Sequence, residues 1–299
     1  GFVGSSDSHS GFPGAYGEGL MAALVTSNSR SAIIEAIRAR RTYALTGDRI
    51  ELDVTVDGAP MGASLSARRQ VEVAFDVQAR DELDVVEVIS DGEIVHRAFP
   101  APRRLSGDVF GGPVQLRLEW GWGPWGDLAL ERTCDWRIAV EVSGGRLLRV
   151  FPCLQSGPFD EDRRHDVRCV GESGVAITSY TSRRGAYRGN PNQSAILEIT
   201  GGPETRIALS LEAPVAQRSE TTLGALAAAS ETFFTGPFPK ESYQWHRLVP
   251  LHASHVSGRC TVDIEGERGH VYLRARQANG HLAWASPVFI GEARDDGQP

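Results

Sequence analysis

The sequence predicts a mainly β protein, in which an antiparallel β-sandwich domain at residues 48–291 follows a short strand-loop-helix segment at residues 1–47. Two observations predict this fold class. Short runs of alternating apolar and polar residues, the period of a half-buried strand, recur from Ile50 onward. Turn residues such as Asp57-Gly58 and Asp91-Gly92 separate these runs, and glycine tolerates the positive φ that hairpin turns need.

The composition is typical of a globular protein, with 299 residues of which 41% are hydrophobic and 23% charged. A net charge of -7, spread along the chain, argues against nucleic-acid binding. No apolar run approaches the roughly 18 residues of a membrane span. We therefore expect neither nucleic acid nor a membrane as a partner. The oligomeric state and the choice between a cytoplasmic and a periplasmic location stay open.

The chain begins abruptly with Gly1 in a strand-like segment, which predicts a fragment of a longer protein whose N-terminus is missing. The cysteines Cys134, Cys153, Cys169 and Cys260 are far apart and have no C-x-x-C spacing, so neither a zinc knuckle nor a redox pair is expected. They are reduced core residues or form one or two disulfides, and their spacing leaves both alternatives open.

Residues 1–47 have the order of an α/β unit. The polar cluster Thr26-Ser27-Asn28-Ser29 offers several candidate N-caps. A helix is predicted at residues 31–43, where the residues on one helical period are Ile33, Ile34, Ile37 and Arg41. Thr46-Gly47 is expected to end this helix.

From Ile50 the pattern is that of a sandwich of short strands. Strands are predicted at residues 50–56, 71–77, 85–89, 93–96, 136–142, 147–151, 175–180, 195–199, 207–211, 260–264, 271–275 and 286–290. Gly144-Gly145 predicts a hairpin between the strands at 136–142 and 147–151. One helix is expected at residues 223–230, and residues 292–299 resemble a flexible polar tail.

The segment Gly4-Ser5-Ser6-Asp7-Ser8-His9 is the main candidate for chemistry. Positions i and i+2 of a strand face the same side, so in an extended segment Asp7 and His9 project together. A carboxylate and an imidazole placed in this way can hold a divalent metal ion or share a proton. The alternative is a turn in which Asp7 caps backbone N–H groups and His9 is merely exposed.

Two other features carry less chemical information. His252 and His255 are three positions apart and would face opposite sides of a strand, so with His246 they are expected to be separate surface or edge residues. The aromatic segment Trp120-Gly121-Trp122-Gly123-Pro124-Trp125 forms either a sugar-stacking platform or a glycine-rich loop that folds rings over a core, and the second is favoured. No G-x-S-x-G elbow, Walker loop or dinucleotide fingerprint occurs, so nucleophilic serine catalysis has no support.

Several segments agree with one family in order and spacing. In the N-terminal part they are Gly4-Ser5-Ser6-Asp7-Ser8-His9, Pro13-Gly14-Ala15-Tyr16-Gly17-Glu18-Gly19-Leu20, and residues 33–50 with Thr46-Gly47-Asp48-Arg49-Ile50. These resemble the closing part of PHP-domain (polymerase and histidinol phosphatase) metallohydrolases, and the nearest branch is the carbamate-hydrolase-like (CehA/McbA-type) proteins. Asp57-Gly58-Ala59-Pro60-Met61-Gly62 and residues 274–287 are similar to that branch's appended β-domain, whereas the middle of the chain matches only in style.

The resemblance implies a small-molecule substrate and a distorted β/α barrel whose strand ends carry metal ligands, with Asp7 and His9 as the last ligand pair. A carboxylate and a neutral imidazole suit Zn, Mn or Fe, and the bound metal activates water. The early H-x-H pair and the intervening ligands of such barrels are absent from this chain. We therefore expect the C-terminal part of a metal-dependent hydrolase of a phosphoester or a carboxylic or carbamate ester, inactive as this fragment alone.

Three further residues are candidates for contact with the substrate. Tyr16 and Glu18 lie on the loop just past the ligand pair, where functional groups of β/α barrels concentrate. Arg41 could neutralise an anionic substrate, or it could simply complement a helix end. The alternative function, from another class, is a non-catalytic β-sandwich module that binds carbohydrate or protein through the loop from Trp120 to Trp125.

Overall fold

The computed structural model describes residues 1–7, 13–101, 109–121, 133–155, 163–182, 192–237 and 240–291. Over these residues the chain is mainly β, which confirms the predicted fold class. None of the described helices has the length and apolar content needed to cross a membrane. In chain order the elements are β1 (Leu20–Ala23), α1 (Arg30–Arg38), β2 (Thr42–Leu45), β3 (Glu51–Val56), β4 (Ala59–Pro60), β5 (Ser64–Leu65), β6 (Gln70–Gln78), β7 (Leu83–Ser90), β8 (Glu93–Ala98), β9 (Val114–Gly121), β10 (Thr133–Cys153), β11 (Asp166–Val170), β12 (Gly174–Ser182), β13 (Gln193–Ala213), β14 (Gln217–Thr222), α2 (Leu223–Ala228), β15 (Glu231–Phe234), β16 (Ser242–Trp245), β17 (Val249–Pro250), α3 (Leu251–Ser254), β18 (His255–Asp263), β19 (Gly269–Gln277), β20 (Leu282–Ala285) and β21 (Val288–Ile290).

The chain divides into two compact units. Unit 1 comprises Gly1–Asp7, Gly17–Pro102 and His252–Pro299, and unit 2 comprises Ser8–Tyr16 and Arg103–Leu251. This division differs from the predicted domains, since the boundary expected between residues 47 and 48 lies inside unit 1 and residues 48–291 contribute to both units. The identification of residues 1–47 as a barrel segment is not addressed by this division and stays a prediction. The predicted tail at 292–299 lies outside the described residues.

In the described part of unit 1 the strands form two sheets. In the larger sheet the neighbouring strands are β1, β2, β20, β19, β7 and β8, in that order. Strand β21 pairs with the same side of β19 as β20 does, and β5 pairs in parallel with β21. The smaller sheet has the order β18, β6, β3 and β4. Apolar side chains of both sheets form one core, as in a β-sandwich. This core includes Val54, Val73, Phe75 and Val77 from the smaller sheet and Val86, Val88, Leu273 and Ala275 from the larger one.

The alternation in the sequence explains which side chains enter this core. In β3 the side chains of Leu52 and Val54 are buried, whereas Glu51 and Asp53 are exposed. The two predicted D-G turns also form, because Asp57 and Asp91 both have positive φ and each is followed by a glycine with positive φ. The predictions of half-buried strands and hairpin turns are therefore confirmed in this unit.

Helix α1 is shorter than the sequence predicts. Ser29 is its N-cap, and the Ser29 side chain accepts a hydrogen bond from the backbone N–H of Ala32 at 3.3 Å. The helix ends at Arg38, and Arg40 then adopts a positive φ of 59°. The prediction of a helix as far as Tyr43 is wrong, because residues 42–45 pair with both β1 and β20, and this pairing overrides the local helical period.

In the described part of unit 2, nine strands form one sheet that folds over on itself. The order is β11, β12, β10, β13, β9, β16 and β15, with β14 beside β13 and β17 beside β9. The first half of β10 pairs with β12 on one side and with the second half of β13 on the other. The second half of β10 pairs with the first half of β13, and this half of β13 also pairs with β9. Side chains from both halves share one core, among them Ile138, Val140, Ile177 and Leu209 from one half and Leu116, Leu118, Leu197 and Tyr243 from the other.

The predicted hairpin at Gly144-Gly145 is wrong. Residues 136–142 and 147–151 lie in the same strand, β10, and its ladder with β13 continues on both sides of the two glycines with a register shift between Ser143 and Gly145. Thr205 Oγ1 donates a hydrogen bond to the Gly144 carbonyl oxygen at 3.0 Å across this irregularity. Between the pairs Ser143–Arg206 and Gly145–Gly201, the extra residues lie on β13, at positions 202–205, and only Gly144 intervenes on β10. An irregularity of this kind bends and twists the paired strands, and in this way one sheet can supply both layers of a sandwich.

Candidate functional site

The N-terminal segment that carries Asp7 is held along unit 1. The backbone N–H of Phe2 donates a hydrogen bond to Ser286 Oγ at 2.7 Å, and Thr42 Oγ1 donates to the Phe2 carbonyl oxygen at 2.8 Å. The Phe2 ring meets the Tyr272 ring edge-on, with centroids 5.3 Å apart. Side chains from β2, β19 and the turn between β20 and β21 therefore fix the residues that precede Asp7.

Two glycines bring this segment against the start of β1. A Cβ atom on Gly4 would overlap the carbonyl oxygen of Leu20, and a Cβ atom on Gly19 would overlap the carbonyl oxygen of Ser5. Gly4 therefore lies directly against Leu20, and Gly19 lies directly against Ser5.

Asp7 is exposed and departs from the extended conformation that the sequence interpretation assumed. Its φ is +50°, in the left-handed region that residues other than glycine adopt rarely. Residues 1–7 also contain no strand. The expected strand geometry, in which Asp7 and His9 share a face, is therefore wrong at Asp7. His9 lies outside the described residues, and the assignment of both residues as metal ligands stays a prediction.

Glu18, a predicted substrate contact, is half-buried immediately before Gly19. Its Oε2 atom is buried and accepts a hydrogen bond from no described residue. A carboxylate oxygen that is removed from water without a donor is costly, because its lost hydration is not replaced. This oxygen is therefore available to a cation or to a hydrogen-bond donor from outside the described chain.

Arg41 and Tyr16, the other predicted substrate contacts, have partners elsewhere. Arg41 Nη2 lies 2.9 Å from Glu35 Oε1 of α1, which supports the helix-end alternative for this arginine. Tyr16 belongs to unit 2, where its hydroxyl accepts a hydrogen bond from Arg117 Nη1 at 3.1 Å and its backbone N–H donates to the Leu154 carbonyl oxygen at 2.9 Å. A contact of either residue with substrate stays a prediction.

Two of the three histidines considered for a shared metal site, His246 and His255, contact different carboxylates. His246 Nε2 lies 2.7 Å from Glu119 Oε2 in unit 2, and His255 Nε2 lies 3.0 Å from Asp76 Oδ2 in unit 1. Across the described ranges, which leave out His9, no three His, Cys, Asp or Glu residues are placed to share a metal ion. The four cysteines form no disulfide with one another.

Glu119 is a half-buried acidic group of unit 2 with both carboxylate oxygens engaged. Asn192 Nδ2 donates to its Oε1 at 2.6 Å, and His246 Nε2 contacts its Oε2. Burial raises the pKa of Glu119, but the hydrogen bonds from His246 and Asn192, together with the charges of His246 and Arg117, outweigh it and leave the pKa below its usual range. A carboxylate satisfied in this way is a structural acceptor rather than an open ligand.

A buried polar cluster that sequence reasoning did not single out connects two of the segments that carry the resemblance. Asp48 is only 1% exposed, and its Oδ2 accepts hydrogen bonds from Gln277 Nε2 and Asn279 Nδ2, each at 2.8 Å. Beside it Thr46 Oγ1 lies 3.1 Å from His281 Nδ1. Thr46-Gly47-Asp48 and Asn279-Gly280-His281 both belong to the segments that carry the resemblance, so the sequence contained a signal for these residues. The signal did not show that they contact each other, because Asp48 and Gln277 are 229 positions apart in the chain.

The segment from Asp57 to Gly62 makes a similar connection. Gly62 has a φ of +84°, and a Cβ atom at this position would overlap the carbonyl oxygens of Arg40 and Ala39. The Gly62 N–H donates to the Pro287 carbonyl oxygen at 3.1 Å, and Arg40 Nε donates to the Gly62 carbonyl oxygen at 2.9 Å. This segment therefore joins the end of α1 to the turn between β20 and β21.

The aromatic segment is represented in the described chain by Trp120 and Gly121. Trp120 has no exposed surface and lies in the core of unit 2, where its Nε1 donates to Ser179 Oγ at 3.1 Å. Trp120 is thus a core residue, as the favoured alternative expects. Trp122 and Trp125 lie outside the described residues, so binding through the remainder of the loop stays a prediction.

Comparison with known proteins gives relatives without an assigned function. No family model matches the sequence. An uncharacterized protein of Chlamydia pneumoniae is 34% identical over 96 residues, which are 30% of this chain and 16% of that protein. An uncharacterized protein of Chlamydia muridarum is 30% identical over 91 residues, which are 28% of this chain and 15% of that protein. The matched region is thus only about a sixth of the length of these relatives.

Among solved structures, BcpA, the major pilin subunit of Bacillus cereus, aligns with 85% of this chain and 68% of its own chain. The sequence identity is 6% and the TM-score is 0.14. The D312A form of the same pilin aligns with a TM-score of 0.12. Similarity this low carries no information about the fold or the function of the chain.

Proposed function

We propose that this chain is the C-terminal part of a metal-dependent hydrolase and that Asp7 and His9 are the last pair of metal ligands in its site. The substrate is a phosphoester or a carboxylic or carbamate ester, because hydrolysis of each uses the same Lewis acid and activated water. The remaining ligands come from a barrel that residues 1–47 complete.

The contacts between the segments that carry the resemblance are the observation on which this proposal rests. Residues 4–5 pack against residues 19–20, Asp48 binds Gln277 and Asn279, and Gly62 meets the end of α1. All of these contacts lie within unit 1. Short segments that match one family and also contact one another are better explained by a common fold than by independent chance matches.

The surface of helix α1 gives further support. Ala36 is its buried residue, whereas Ile34 and Ile37 on the same helix are 42% and 43% exposed. An amphipathic helix normally buries such residues, and exposed apolar side chains in a group mark a contact surface. This exposure is in keeping with a helix that closes a larger domain, with the rest of that domain covering Ile34 and Ile37.

The donor groups suit a divalent ion. Carboxylate and imidazole are ligands of Zn, Mn and Fe, and Glu18 Oε2 adds a buried oxygen that accepts no hydrogen bond from a described residue. Asp7 would bind the ion through its carboxylate and His9 through a neutral ring nitrogen. When bound, such an ion lowers the pKa of water and polarises the scissile group. Two protein ligands do not complete a catalytic site, which explains why this chain alone is expected to be inactive.

Metal content tests the proposal. The complete gene product, purified without chelators, is expected to contain divalent metal by elemental analysis, and Asp7→Ala and His9→Ala are each expected to lose most of it. Asp53→Ala is the matched control, because Asp53 is exposed on β3 and lies in no candidate site. Unchanged metal content in both site variants would remove these two residues from the site.

The coding sequence gives a second test. The reading frame upstream of Gly1 is expected to encode an H-x-H pair near its start and further His, Asp and Glu ligands. The complete protein should hydrolyse p-nitrophenyl phosphate esters or p-nitrophenyl carboxylic esters, lose this activity with a chelator and regain it with Zn²⁺ or Mn²⁺. A start codon directly before Gly1 would refute the proposal.

A further inference from the structure

We propose that the exposed face of α1 binds an acidic surface of the polypeptide that precedes Gly1 in the complete gene product. In this contact Ile34 and Ile37 pack against apolar side chains, and Arg30 and Arg38 pair with carboxylates. The contact rests on the proposed function, in which the chain continues upstream of Gly1, and it adds the chemistry of the surface that covers α1.

Apolar and basic side chains share one face of α1. Positions three or four apart lie on the same side of a helix. Ile34 and Ile37 are therefore neighbours, and they are 42% and 43% exposed. Arg30 lies one turn before Ile34 and Arg38 one turn after it, and both arginines are exposed. This face thus has an apolar centre between two cations.

The two arginines have no acidic partner in the described chain. Neither Arg30 nor Arg38 forms a hydrogen bond or an ion pair with a described residue, and Glu35 of the same helix pairs with Arg41. Arg38 complements the helix dipole at the last position of α1. Arg30 is the first residue of the helix, where a positive charge is unfavourable, and the first turn contains no acidic residue to compensate it. A carboxylate on a covering surface would stabilise Arg30, whereas its own helix does not.

The position of Gly1 places the preceding chain beside this helix. A Cβ atom on Gly1 would lie 3.0 Å from the Cβ atom of Arg40, which follows the end of α1 by two residues. The distance from Arg30 to Arg38 along the helix axis is about 12 Å, which an extended chain covers in about four residues. A short segment upstream of Gly1 can therefore reach the whole face.

A second copy of this chain would be a poor occupant of the face. In an isologous contact the same surface meets itself. Antiparallel helices would bring Arg30 of one copy to Arg38 of the other, and parallel helices would bring each arginine to its own equivalent. Like charges in such a contact repel each other. The charges of the face therefore favour an acidic partner over a copy of α1.

Carbodiimide cross-linking of the complete gene product tests this contact, because it joins an amine only to a carboxylate that touches it. Lys240 is the only lysine of the chain, so Arg30→Lys and Arg38→Lys each keep the charge and add one new amine to it. Peptide mass spectrometry is expected to show at least one of these amines linked to an Asp or Glu upstream of Gly1 in the same polypeptide. In about 1 M NaCl the yield should fall at least about fivefold, because salt screens exposed ion pairs.

Two comparisons make the test specific. Arg146→Lys is the matched control, because Arg146 is exposed on β10 and has no described partner, and it should give no link to an upstream residue. The double variant Ile34→Ala/Ile37→Ala should unfold at a temperature at least about 4 °C lower than the wild type when the face is covered. On an uncovered face the same variant would be neutral or stabilising, because alanine has the higher helix propensity.

The outcomes separate this contact from the function on which it rests. Links confined to residues 1–299, or to a second copy in a dimer of doubled mass, would overturn the contact, and so would an unchanged unfolding temperature of Ile34→Ala/Ile37→Ala. Loss of metal in Asp7→Ala together with any of these results would leave the proposed function standing. A link to an upstream carboxylate with unchanged metal content in Asp7→Ala and His9→Ala would support the contact and refute the assignment of the metal ligands.

Discussion

Replacing Asp48 with alanine is expected to lower the free energy of unfolding of unit 1 by about 4 kcal/mol. Asp48 is 1% exposed, and its Oδ2 accepts hydrogen bonds from Gln277 and Asn279 at 2.8 Å. A hydrogen bond to a charged group contributes about 1.5–3 kcal/mol, and the loss of a buried acceptor leaves the N–H groups that bound it without that partner. Gln277 Nε2 keeps its hydrogen bond to Asn279 Oδ1 at 3.0 Å. Two such bonds give roughly 3–6 kcal/mol. The effect extends further, because Gln277 Oε1 also accepts the backbone N–H of Arg80 at 2.8 Å.

Urea denaturation measures this change when it is followed by hydrogen exchange of unit 1 peptides, because the six tryptophans of the chain fluoresce together and would not report Trp284 of β20 alone. With an m-value of about 2 kcal/mol/M, the expected loss lowers the midpoint by about 2 M. Hydrogen exchange resolved by peptide locates the effect, which should be concentrated in residues 42–56 and 270–291 because the cluster joins these two regions. Peptides from unit 2 should keep their protection.

The control variants make the test specific. Asp53→Ala removes the same side chain from an exposed position of β3 and is expected to change stability by no more than about 0.5 kcal/mol. The double variant Asp48→Ala/Gln277→Ala should lose at least about 1 kcal/mol less than the sum of the single variants, because the two residues share one interaction. Additive losses, or a loss for Asp48→Ala no larger than that for Asp53→Ala, would refute the structural role of the cluster.

Two further predictions concern the backbone and the charges of unit 1. In thermal unfolding, Gly62→Ala is expected to lower the free energy of unfolding by at least about 2 kcal/mol more than Gly58→Ala does. Both positions have positive φ, but only a Cβ atom at position 62 would overlap neighbouring backbone. Equal losses of stability would show that the contact at Gly62 relaxes. Burial raises the pKa of Glu87, but the hydrogen bonds from Arg274 and Arg97 and their charges lower it below the usual value of 4.5. Its contribution to stability is therefore complete above about pH 4.5 and lost as the pH falls through the lower folded-state pKa. Below that pH, the free energy of unfolding, measured by urea titrations at several pH values, should fall less steeply with pH for Glu87→Gln than for the wild type. Identical slopes would contradict the role of Glu87 as a charged partner of Arg274 and Arg97.

Local patterns in the sequence predicted about half of the described strands and some of the ends of elements. The alternation in β3 and the Asp91-Gly92 turn depend on neighbouring residues alone, and both form as expected. The helix predicted at residues 223–230 begins at Leu223, where its N-cap Thr222 accepts a hydrogen bond from the Ala225 N–H at 3.1 Å. Side-chain period, turn chemistry and helix capping act over a few residues, so a single sequence contains enough information to predict them.

The candidate site was predicted only in part. Its residue types and their order in the sequence led to Asp7, His9 and Glu18, but the positive φ of Asp7 follows from the way residues 1–7 lie against unit 1. The buried and unsatisfied Oε2 of Glu18 is likewise invisible in the sequence. Burial and hydrogen-bond satisfaction are properties of the packed chain, and no local pattern contains them.

The sequence by itself determined the mainly β class, the alternation of buried and exposed side chains, and the residue types of the candidate site. Only the tertiary structure decided that Gly144-Gly145 lies within one long strand, that residues 42–45 leave the helical pattern for a sheet, and that Asp48 contacts Gln277. The physical reason is the distance along the chain. Each of these outcomes depends on contacts between residues tens to hundreds of positions apart, and their free energy outweighs the small local preferences that a sequence pattern reports.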